Sequence, residues 1–333
     1  MMSQGAHTVI HTCAQVQPGE QVLIVTEFSK MSIAESLAEA AYAAGAEATI
    51  MVMTPRQVNG QEPPANVAAA MKASDVFLCA VNHSITHTSA VKEATALGRR
   101  GLVLTQFEES MMVSGGITAD FPAIAPVCRA MAKALAGSET IHLTSTHGTD
   151  LTYSARGRRG NALYCMVDKG QFSTIPTIEA NVSPLEGTAN GVIVADASVP
   201  YLGIGVLREP VRCTVQDGFI RTMEGGEQAM QLKADLLARN DPNVFNVAEM
   251  GVGLNPKCSF MGFMLEDEGV AGSVHIGIGT SITLGGTVKA ACHYDLIMTG
   301  ATIEADGKVL LRDSQVQYDA LGLRYNLSRR FLT

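Results

Sequence analysis

The sequence predicts an α/β protein in which a parallel βαβ domain precedes a mixed, mostly antiparallel α+β domain. Three observations support this fold class. Short apolar segments alternate with helix-forming segments in the first part of the chain, strand-like segments follow one another after about residue 137, and glycines become frequent in the last third. Strands that alternate with helices are typical of a parallel sheet covered by helices. We therefore predict two domains, 1–138 and 139–333.

The first domain is predicted from apolar β-branched segments and the helical segments between them. The helix over 32–44 ends at Gly45, a residue type that commonly follows a helix C-terminus. In chain order, the predicted elements are strands over 20–26 and 48–53, a strand over 75–81, a helix over 89–96, a strand over 101–105 and a helix over 123–135.

The second domain is predicted to be richer in strands. Gln216-Asp217-Gly218 lies between two apolar segments and predicts a tight hairpin. The predicted elements are strands over 140–144, 151–154, 191–196, 210–216 and 219–222, followed by a helix over 227–237.

Composition excludes several classes of protein. The chain has 24 Lys plus Arg against 32 Asp plus Glu, a net charge of −8, which argues against nucleic-acid binding because phosphate backbones need clustered cations. Neither a secretory signal nor an apolar run long enough to span a membrane is apparent. The seven cysteines form no C-x-x-C pair, so we expect reduced thiols and a cytoplasmic protein.

The glycine-rich segments do not predict a phosphate site. Gly251-x-Gly253 and the segment 275–279 lack the G-x-G-x-x-G and P-loop spacings. Glycines within strands more often allow a bend or the close approach of the backbone to a ligand. A catalytic cysteine is not indicated either, because Cys292 and His293 are adjacent and would point to opposite faces of a strand.

His293 and Asp295 predict a metal site. Residues two apart on a strand share a face, so the imidazole and the carboxylate would meet one point in space. His275 and Glu249 each interrupt an apolar run in the same domain, where an unpaired polar group would cost several kcal/mol. Histidine nitrogens and carboxylate oxygens together are typical of a divalent-metal site.

Further carboxylates extend this candidate site. Glu179 lies in another apolar segment, and Glu186 follows it. The cluster 266–268 contains three consecutive acids, which cannot all face one site, and we interpret it as a solvated turn.

At these residues the chain resembles the aminopeptidase T (aminopeptidase S) family of metallopeptidases over nearly its whole length. The resemblance rests on the order and spacing of several blocks: GTDLT (148–152), PLEGTA (184–189), AEMGVG (248–253), EDE (266–268), HIGIG (275–279) and HYD (293–295). It implies a homodimeric two-domain metalloenzyme with a pair of divalent ions, in which a metal-activated water attacks a peptide bond. It places the metal ligands on Glu179, Glu249, His275, His293 and Asp295, with Glu249 and Glu179 as the candidate catalytic carboxylates.

One position departs from the peptidase pattern. The peptidases carry a tyrosine seven residues after the histidine that corresponds to His275, and this chain has Ile282 there. The same superfamily includes proteins similar to the 2,5-dihydroxypyridine dioxygenases, which open an aromatic ring with one iron(II) held by two histidines and one aspartate. In those enzymes a histidine ligand stands where this chain has Glu249. A triad of His275, His293 and Asp295 would still satisfy the two-histidine, one-carboxylate pattern.

The sequence thus supports three hypotheses. The first is a metal-dependent hydrolase of the aminopeptidase T type, with zinc, manganese or cobalt, one or two ions per chain, and a small-molecule or short-peptide substrate. The alternative is a non-haem iron(II) ring-cleaving dioxygenase. The third is a binding or scaffold protein that kept the fold and lost the chemistry, which the five intact candidate ligands argue against. The resemblance implies a homodimer, and the composition leads us to expect neither nucleic-acid nor membrane partners.

Overall fold

The computed structural model describes residues 1–86 and 88–323. These residues form two compact units, Met1–Pro122 with Tyr164–Pro176, and Ala123–Leu163 with the chain from Thr177 onward. The sequence predicts one boundary, near residue 138. In the structure the first unit ends at Pro122 and also takes in the return segment Tyr164–Pro176, because a strand of that segment pairs with its sheet. Residues 324–333 of the predicted second domain lie outside the described residues.

The elements follow one another in an α/β order and then in a strand-rich order. The α-helices are α1 (Ser3–His7), α2 (Met31–Ala43), α3 (Ala65–Ala73), α4 (Ser89–Ala96), α5 (Phe121–Leu135), α6 (Glu227–Ala238) and α7 (Met264–Asp267). Short 3-10 helices span Phe28–Lys30, Glu109–Met112, Gly115–Thr118, Pro242–Phe245 and Ile282–Leu284, and α1 continues into a π-helical turn, Thr8–Cys13. The strands are β1 (Gln21–Thr26), β2 (Glu47–Val52), β3 (Val76–Val81), β4 (Arg100–Thr105), β5 (Ile141–Ser145), β6 (Asp150–Tyr153), β7 (Gly160–Leu163), β8 (Phe172–Thr174), β9 (Glu179–Val182), β10 (Asn190–Ala195), β11 (Ser198–Val199), β12 (Gly205–Val206), β13 (Val211–Gln216), β14 (Phe219–Glu224), β15 (Val247–Gly253), β16 (Val274–Gly279), β17 (His293–Met298), β18 (Ala301–Ala305), β19 (Lys308–Arg312) and β20 (Gln315–Val316).

The first unit is built on a parallel five-stranded sheet in the order β2-β1-β3-β4-β8. Strands β3 and β4 are buried along their whole length, as their continuous apolar sequences predict for a sheet with both faces covered. The strand predicted over 48–53 corresponds to β2, an edge strand whose first three residues are exposed although its sequence is mainly apolar. Helix α3 was not predicted.

The second unit contains two antiparallel sheets. One has the order β14-β13-β10-β6-β5-β18-β19-β20, and the other has the order β12-β11-β17-β16-β15-β9-β7. The predicted hairpin joins β13 to β14, with positive φ angles at Asp217 and Gly218, as a tight turn requires. The predicted fold class, parallel βαβ followed by mainly antiparallel α+β, is confirmed.

The seven-stranded sheet has two chemically different faces. On one face, the Tyr153 hydroxyl of the other sheet contacts Met250 Sδ at 3.1 Å, and Thr149 Oγ1 contacts Met298 Sδ at 3.4 Å, so this face packs against the eight-stranded sheet. Because successive side chains on a strand alternate between faces, Glu249 points to the opposite face from Met250. The acidic and imidazole side chains therefore collect on the face that the second sheet does not cover.

Within the described residues, no single helix has the length and apolar composition to cross a membrane. One bent pair, Glu109–Thr118 with Phe121–Leu135, meets these criteria when its two helices are taken together.

Candidate metal centre

Strand pairing brings the predicted ligands onto one face of four adjacent strands. In the antiparallel register, Gly253 lies opposite Glu179 and Gly251 lies opposite His275. Further along β16, Gly277 pairs with Glu249 of β15 on one side and with Asp295 of β17 on the other. Gly279, also on β16, pairs with His293 of β17. The five predicted side chains thus lie on β9, β15, β16 and β17, and all of them project from the same face of the seven-stranded sheet.

Gly251 and Gly277 have no side chain, and the rings of His275 and His293 occupy the space that a side chain would fill. A Cβ added at Gly251 would lie 2.0 Å from His275 Nε2, and one at Gly277 would lie 2.6 Å from His293 Cε1, closer than real Cβ contacts occur. Each ring therefore lies over a glycine of the neighbouring strand and meets a carboxylate beyond it. The groups that approach these two glycines are histidine side chains of the neighbouring strands, whereas the sequence led us to expect a ligand or a bend there.

The side chains form two overlapping groups of candidate metal donors. Glu179, Glu249 and His275 make up one group and Glu249, His293 and Asp295 the other, and within each group the donor atoms lie within 4.8 Å of one another. Glu249 belongs to both. Each group can hold a divalent metal ion, and among the described residues each contains only one histidine, so His275 and His293 do not share a group.

The contacts within these groups are short and buried. His275 Nε2 lies 3.3 Å from Glu179 Oε2, and His293 Nε2 lies 3.0 Å from Glu249 Oε2 and 3.5 Å from Asp295 Oδ1. The three carboxylates and His275 are at most 6% exposed. The His293 side chain is 25% exposed, which makes it the member of the cluster that solvent reaches most easily.

Neighbouring groups orient two of these side chains. His293 Nδ1 lies 2.9 Å from the Thr280 carbonyl, which can only accept, so Nδ1 carries a proton and donates it there. His293 Nε2 therefore faces Glu249 and Asp295. On the other side, Asn161 Nδ2 donates to Asn181 Oδ1 and Asn181 Nδ2 donates to Glu179 Oε1, both at 2.8 Å.

Burial and mutual charge shift the pKa values of the cluster. Burial, assisted by the charges of Glu249 and Asp295, raises the pKa of Glu179 to about 7. Burial alone would lower the pKa of His293, but the charges and hydrogen bonds of Asp295 and Glu249 hold it well above its usual value. Burial would raise the pKa of Asp295, but the charges of His293 and His275 and the hydrogen bonds from His293 and Tyr201 together outweigh burial, so that this pKa is lowered. The carboxylates thus behave as a concentrated negative site that attracts positive charge.

Two residues at the cluster were not predicted, Tyr201 and Glu268. The Tyr201 hydroxyl lies 2.5 Å from Asp295 Oδ2 and 3.1 Å from Glu268 Oε1. Burial and the charge of Asp295 raise the pKa of Glu268 well above its usual value. The interpretation of 266–268 as a solvated turn is wrong, because Glu266 and Asp267 are fully buried. Tyr201 follows a two-residue strand, so no periodic pattern in the sequence could have located it.

Two other sequence candidates lie outside the cluster. Glu186 forms an ion pair with Arg158 and accepts at 2.8 Å from the Thr287 backbone N–H, so it stabilises a loop. Ile282 lies on a short 3-10 helix of that loop and is 50% exposed. A phenol nevertheless reaches Asp295, since Tyr201 approaches from a different part of the chain.

Comparison with known proteins identifies the family. A profile of the family NicX, 2,5-dihydroxypyridine 5,6-dioxygenase, matches residues 2–318. The chain belongs to this family. It is 25% identical, over 185 residues, to the 2,5-dihydroxypyridine 5,6-dioxygenase of Pseudomonas putida, an alignment that spans 52% of this chain and about half, 53%, of that enzyme.

Two solved structures share the fold. The NicX-family chain superposes on the 2,5-dihydroxypyridine dioxygenase of Pseudomonas putida KT2440 with a TM-score of 0.81 and 18% identity, covering 94% of this chain and 96% of the other. Superposition on AmpT from Thermus thermophilus gives a TM-score of 0.70 and 17% identity, covering 95% and 98% of the two chains. At these identities the likeness concerns the fold.

The first functional hypothesis, a metal-dependent hydrolase of the aminopeptidase T type, is wrong. The family match and the sequence relative both indicate the dioxygenase that the sequence analysis held as the alternative. Histidines and carboxylates serve both chemistries, so the donor types alone could not separate them.

Proposed function

We propose that the protein is a metal-dependent dioxygenase that opens the ring of a dihydroxypyridine-like aromatic compound. Membership of the NicX family over residues 2–318 is the observation that carries this proposal. The clustered donors on β9, β15, β16 and β17 support it, since ring opening of this kind needs a metal held by a few protein side chains with room for other ligands.

The residues fit a divalent cation. Glu179, Glu249 and Asp295 are buried near one another, and the ion pairs that they form in the described part of the chain are with His275 and His293. Three polar atoms of this cluster, Glu179 Oε2, His275 Nδ1 and Asp295 Oδ1, are buried without a hydrogen-bond partner. Buried charges are normally paired or coordinate a metal. A bound cation would therefore offset the excess negative charge of the carboxylates and give the unpartnered oxygens a ligand.

We propose Fe(II) as the cation, held by His293, Asp295 and Glu249. Bound Fe(II) would supply the activation of molecular oxygen for ring cleavage. One imidazole and two carboxylates replace the two imidazoles and one carboxylate usual for such iron sites. The Thr280 carbonyl fixes the tautomer of His293, so that Nε2 is the nitrogen available to the ion.

The remaining residues would shape the site around the cation. The strand face buries Glu249 and Asp295, which keeps water away from them, while the partly exposed His293 ring marks the side from which a planar substrate would enter. The second group, Glu179 and His275, adjoins the first through Glu249, and we propose that it adds negative charge and a further donor set beside the substrate.

Reconstitution with iron tests the proposal. Metal-free protein is loaded anaerobically with Fe(II), mixed with 2,5-dihydroxypyridine and exposed to oxygen. We expect equimolar loss of dissolved oxygen and of the aromatic absorbance. Zinc-loaded protein should give neither signal, because zinc has no redox chemistry.

Two variants and one control locate the reaction. His293→Ala and Asp295→Ala should lose iron-dependent oxygen uptake, whereas His142→Ala removes a half-exposed histidine that is paired with Asp150 and should keep it. Substrate turnover under strict anaerobiosis, or oxygen uptake that survives in both site variants, would contradict the proposal.

We also propose that the protein is a homodimer that acts on a small molecule. Light scattering coupled to size exclusion measures the mass of the particle. A mass equal to the 35.1 kDa of one chain would contradict the dimer.

A further inference from the structure

Asp295 uses its two oxygens differently. Its Oδ2 receives the hydroxyl of Tyr201 at 2.5 Å, whereas its Oδ1 is buried without a hydrogen-bond partner and lies 3.5 Å from His293 Nε2. The phenol of Tyr201 thus occupies Asp295 Oδ2, whereas Asp295 Oδ1 faces His293 and remains available to a cation.

The phenol is itself held in place by several contacts. The ring of Tyr201 packs against the ring of Tyr294, with centroids 4.8 Å apart and planes tilted by 39°. Its oxygen also contacts Glu268 Oε1 at 3.1 Å. A tyrosine fixed at both its ring and its hydroxyl loses little further entropy when it orients a neighbour.

A second anchor brings Tyr201 and Glu268 to the same place. Asp267 accepts from Ser198 Oγ at 2.5 Å and from the Met261 backbone N–H at 2.7 Å. Ser198 begins β11, just before Tyr201, and Asp267 directly precedes Glu268. The buried Asp267 carboxylate therefore ties the segment that carries Tyr201 to the segment that carries Glu268.

We propose that Tyr201 is a positioning residue for the metal centre: by occupying Asp295 Oδ2, it leaves Oδ1 as the single oxygen that this side chain offers to a cation. This inference rests on the proposed metal centre. It gives the phenol a role in keeping a coordination position open for oxygen or substrate, since a carboxylate that binds through both oxygens would fill that position.

Co(II) titration of metal-free protein tests this role without any turnover. Co(II) absorbs visible light, and its spectrum reports the number and arrangement of its ligands. We expect Tyr201→Phe to bind Co(II) about 10- to 100-fold more weakly than wild type, the usual effect of losing a hydrogen bond to a ligand. Its visible spectrum should change as well, because Asp295 Oδ2 becomes available.

Tyr153→Phe is the matched control. Tyr153 is also a buried tyrosine, but its hydroxyl contacts Met250 on the opposite face of the sheet. We expect this variant to keep the wild-type affinity and spectrum. Melting temperatures of both variants report whether each one folds.

Glu268→Gln provides a second test, since it leaves the phenol in place. The amide can still contact the Tyr201 oxygen, so we expect a smaller loss of Co(II) affinity than in Tyr201→Phe. An affinity loss as large as that of Tyr201→Phe would overturn the proposal, because charge rather than the phenol would then hold Asp295.

Other outcomes are equally decisive. A Tyr201→Phe protein with wild-type affinity and spectrum would overturn the positioning role while leaving the metal centre intact. If Asp295→Ala binds Co(II) as wild type does, Asp295 is no ligand, and both this inference and the proposed centre fail.

Discussion

At the scale of single residues, Gly251 and Gly277 decide whether the two imidazole rings can meet their carboxylates. Each glycine lies on the strand that a histidine ring crosses, and in each case the added Cβ would overlap ring atoms. The glycines are therefore as much a part of the site as the donors, although they contribute no donor atom. Any side chain at these positions would displace a ring rather than merely crowd it.

We expect Gly277→Ala to weaken metal binding at least about tenfold and to lower stability by about 1–3 kcal/mol, as overpacking of a filled space does. The added methyl group would lie 2.6 Å from His293 Cε1 and 2.8 Å from Glu249 Cβ. Calorimetric titration with Co(II) and thermal unfolding measure the two effects. Gly307→Ala is the control: it strains a left-handed turn with no neighbour within 4 Å, so it should lose stability but keep metal affinity.

The thiols give a second prediction at this scale. Burial raises the pKa of Cys79 and of Cys213 to about 12, so at pH 8 they are almost entirely uncharged and unreactive. Only Cys258 and Cys292 are partly exposed. We expect a disulfide reagent to label at most these two in native protein and all seven after unfolding. Rapid labelling of a third thiol would contradict the buried positions, and Cys258→Ser should lower the native count by one.

At the scale of elements, two side chains of one short segment contact the loop between β16 and β17. Arg158 donates to the Gly285 carbonyl at 2.8 Å, and Asn161 donates to the Leu284 carbonyl at 3.1 Å. Because Asn161 also supports Asn181, this segment connects the loop to the Glu179 carboxylate. The loop and the Glu179 group should therefore respond together to one substitution.

We expect Asn161→Ala to speed amide hydrogen exchange across residues 281–288 and to cost about 1–3 kcal/mol of stability, since it leaves buried partners unsatisfied. Exchange followed by mass spectrometry measures the effect segment by segment. Asn66→Ala, an exposed residue of α3, is the control and should change neither quantity. Unchanged exchange in Asn161→Ala would show that the loop is held by other contacts.

At the scale of the whole molecule, the five candidate ligands all belong to the second compact unit. A cation that binds only folded protein stabilises it by mass action, about 2.7 kcal/mol at a concentration 100 times the dissociation constant. Cation binding should raise the free energy of unfolding, because the cation relieves repulsion among the buried carboxylates. Bound metal should thus stabilise the unit that carries the site.

We accordingly expect chelation of metal to lower the melting temperature of the protein, and excess Co(II) or Mn(II) to raise it. Scanning calorimetry of metal-free and metal-loaded protein measures the shift. The double variant Glu249→Ala with His293→Ala lacks both contacts of the central pair, so its melting temperature should not depend on metal. An equal shift in the double variant would mean that the ion binds elsewhere.

Local rules were sufficient to select most of the side chains that meet on β15, β16 and β17, whereas their role as metal ligands stays a prediction. His293 and Asp295 follow the two-residue period of a strand, and Glu249 and His275 interrupt apolar runs where an unpaired polar group is costly. Tyr201 obeys no such rule, since it lies in a turn. Its contact with Asp295 depends on strand pairing that only the folded chain establishes.

The division of donors into two groups was equally beyond the sequence. The triad of His275, His293 and Asp295 was consistent with ligand chemistry, yet the register places His275 beside Glu179 and His293 beside Glu249. Which strand lies beside which is a long-range property, and a shift of one residue would send each donor to the other face. The sequence can therefore indicate which residues are candidate ligands. Which of them surround the same ion depends on strand pairing in the folded chain.

The spread of the candidate donors over several strands also constrains when a metal ion could bind during folding. No two neighbouring strands hold a full donor group, since the Glu249 group draws on β15 and β17 with β16 between them. An ion that needs all three donors of this group would therefore bind only after β15, β16 and β17 have paired, unlike the zinc ion that drives the folding of a small finger domain. In this chain the proposed metal would be a late addition to a sheet that is already formed.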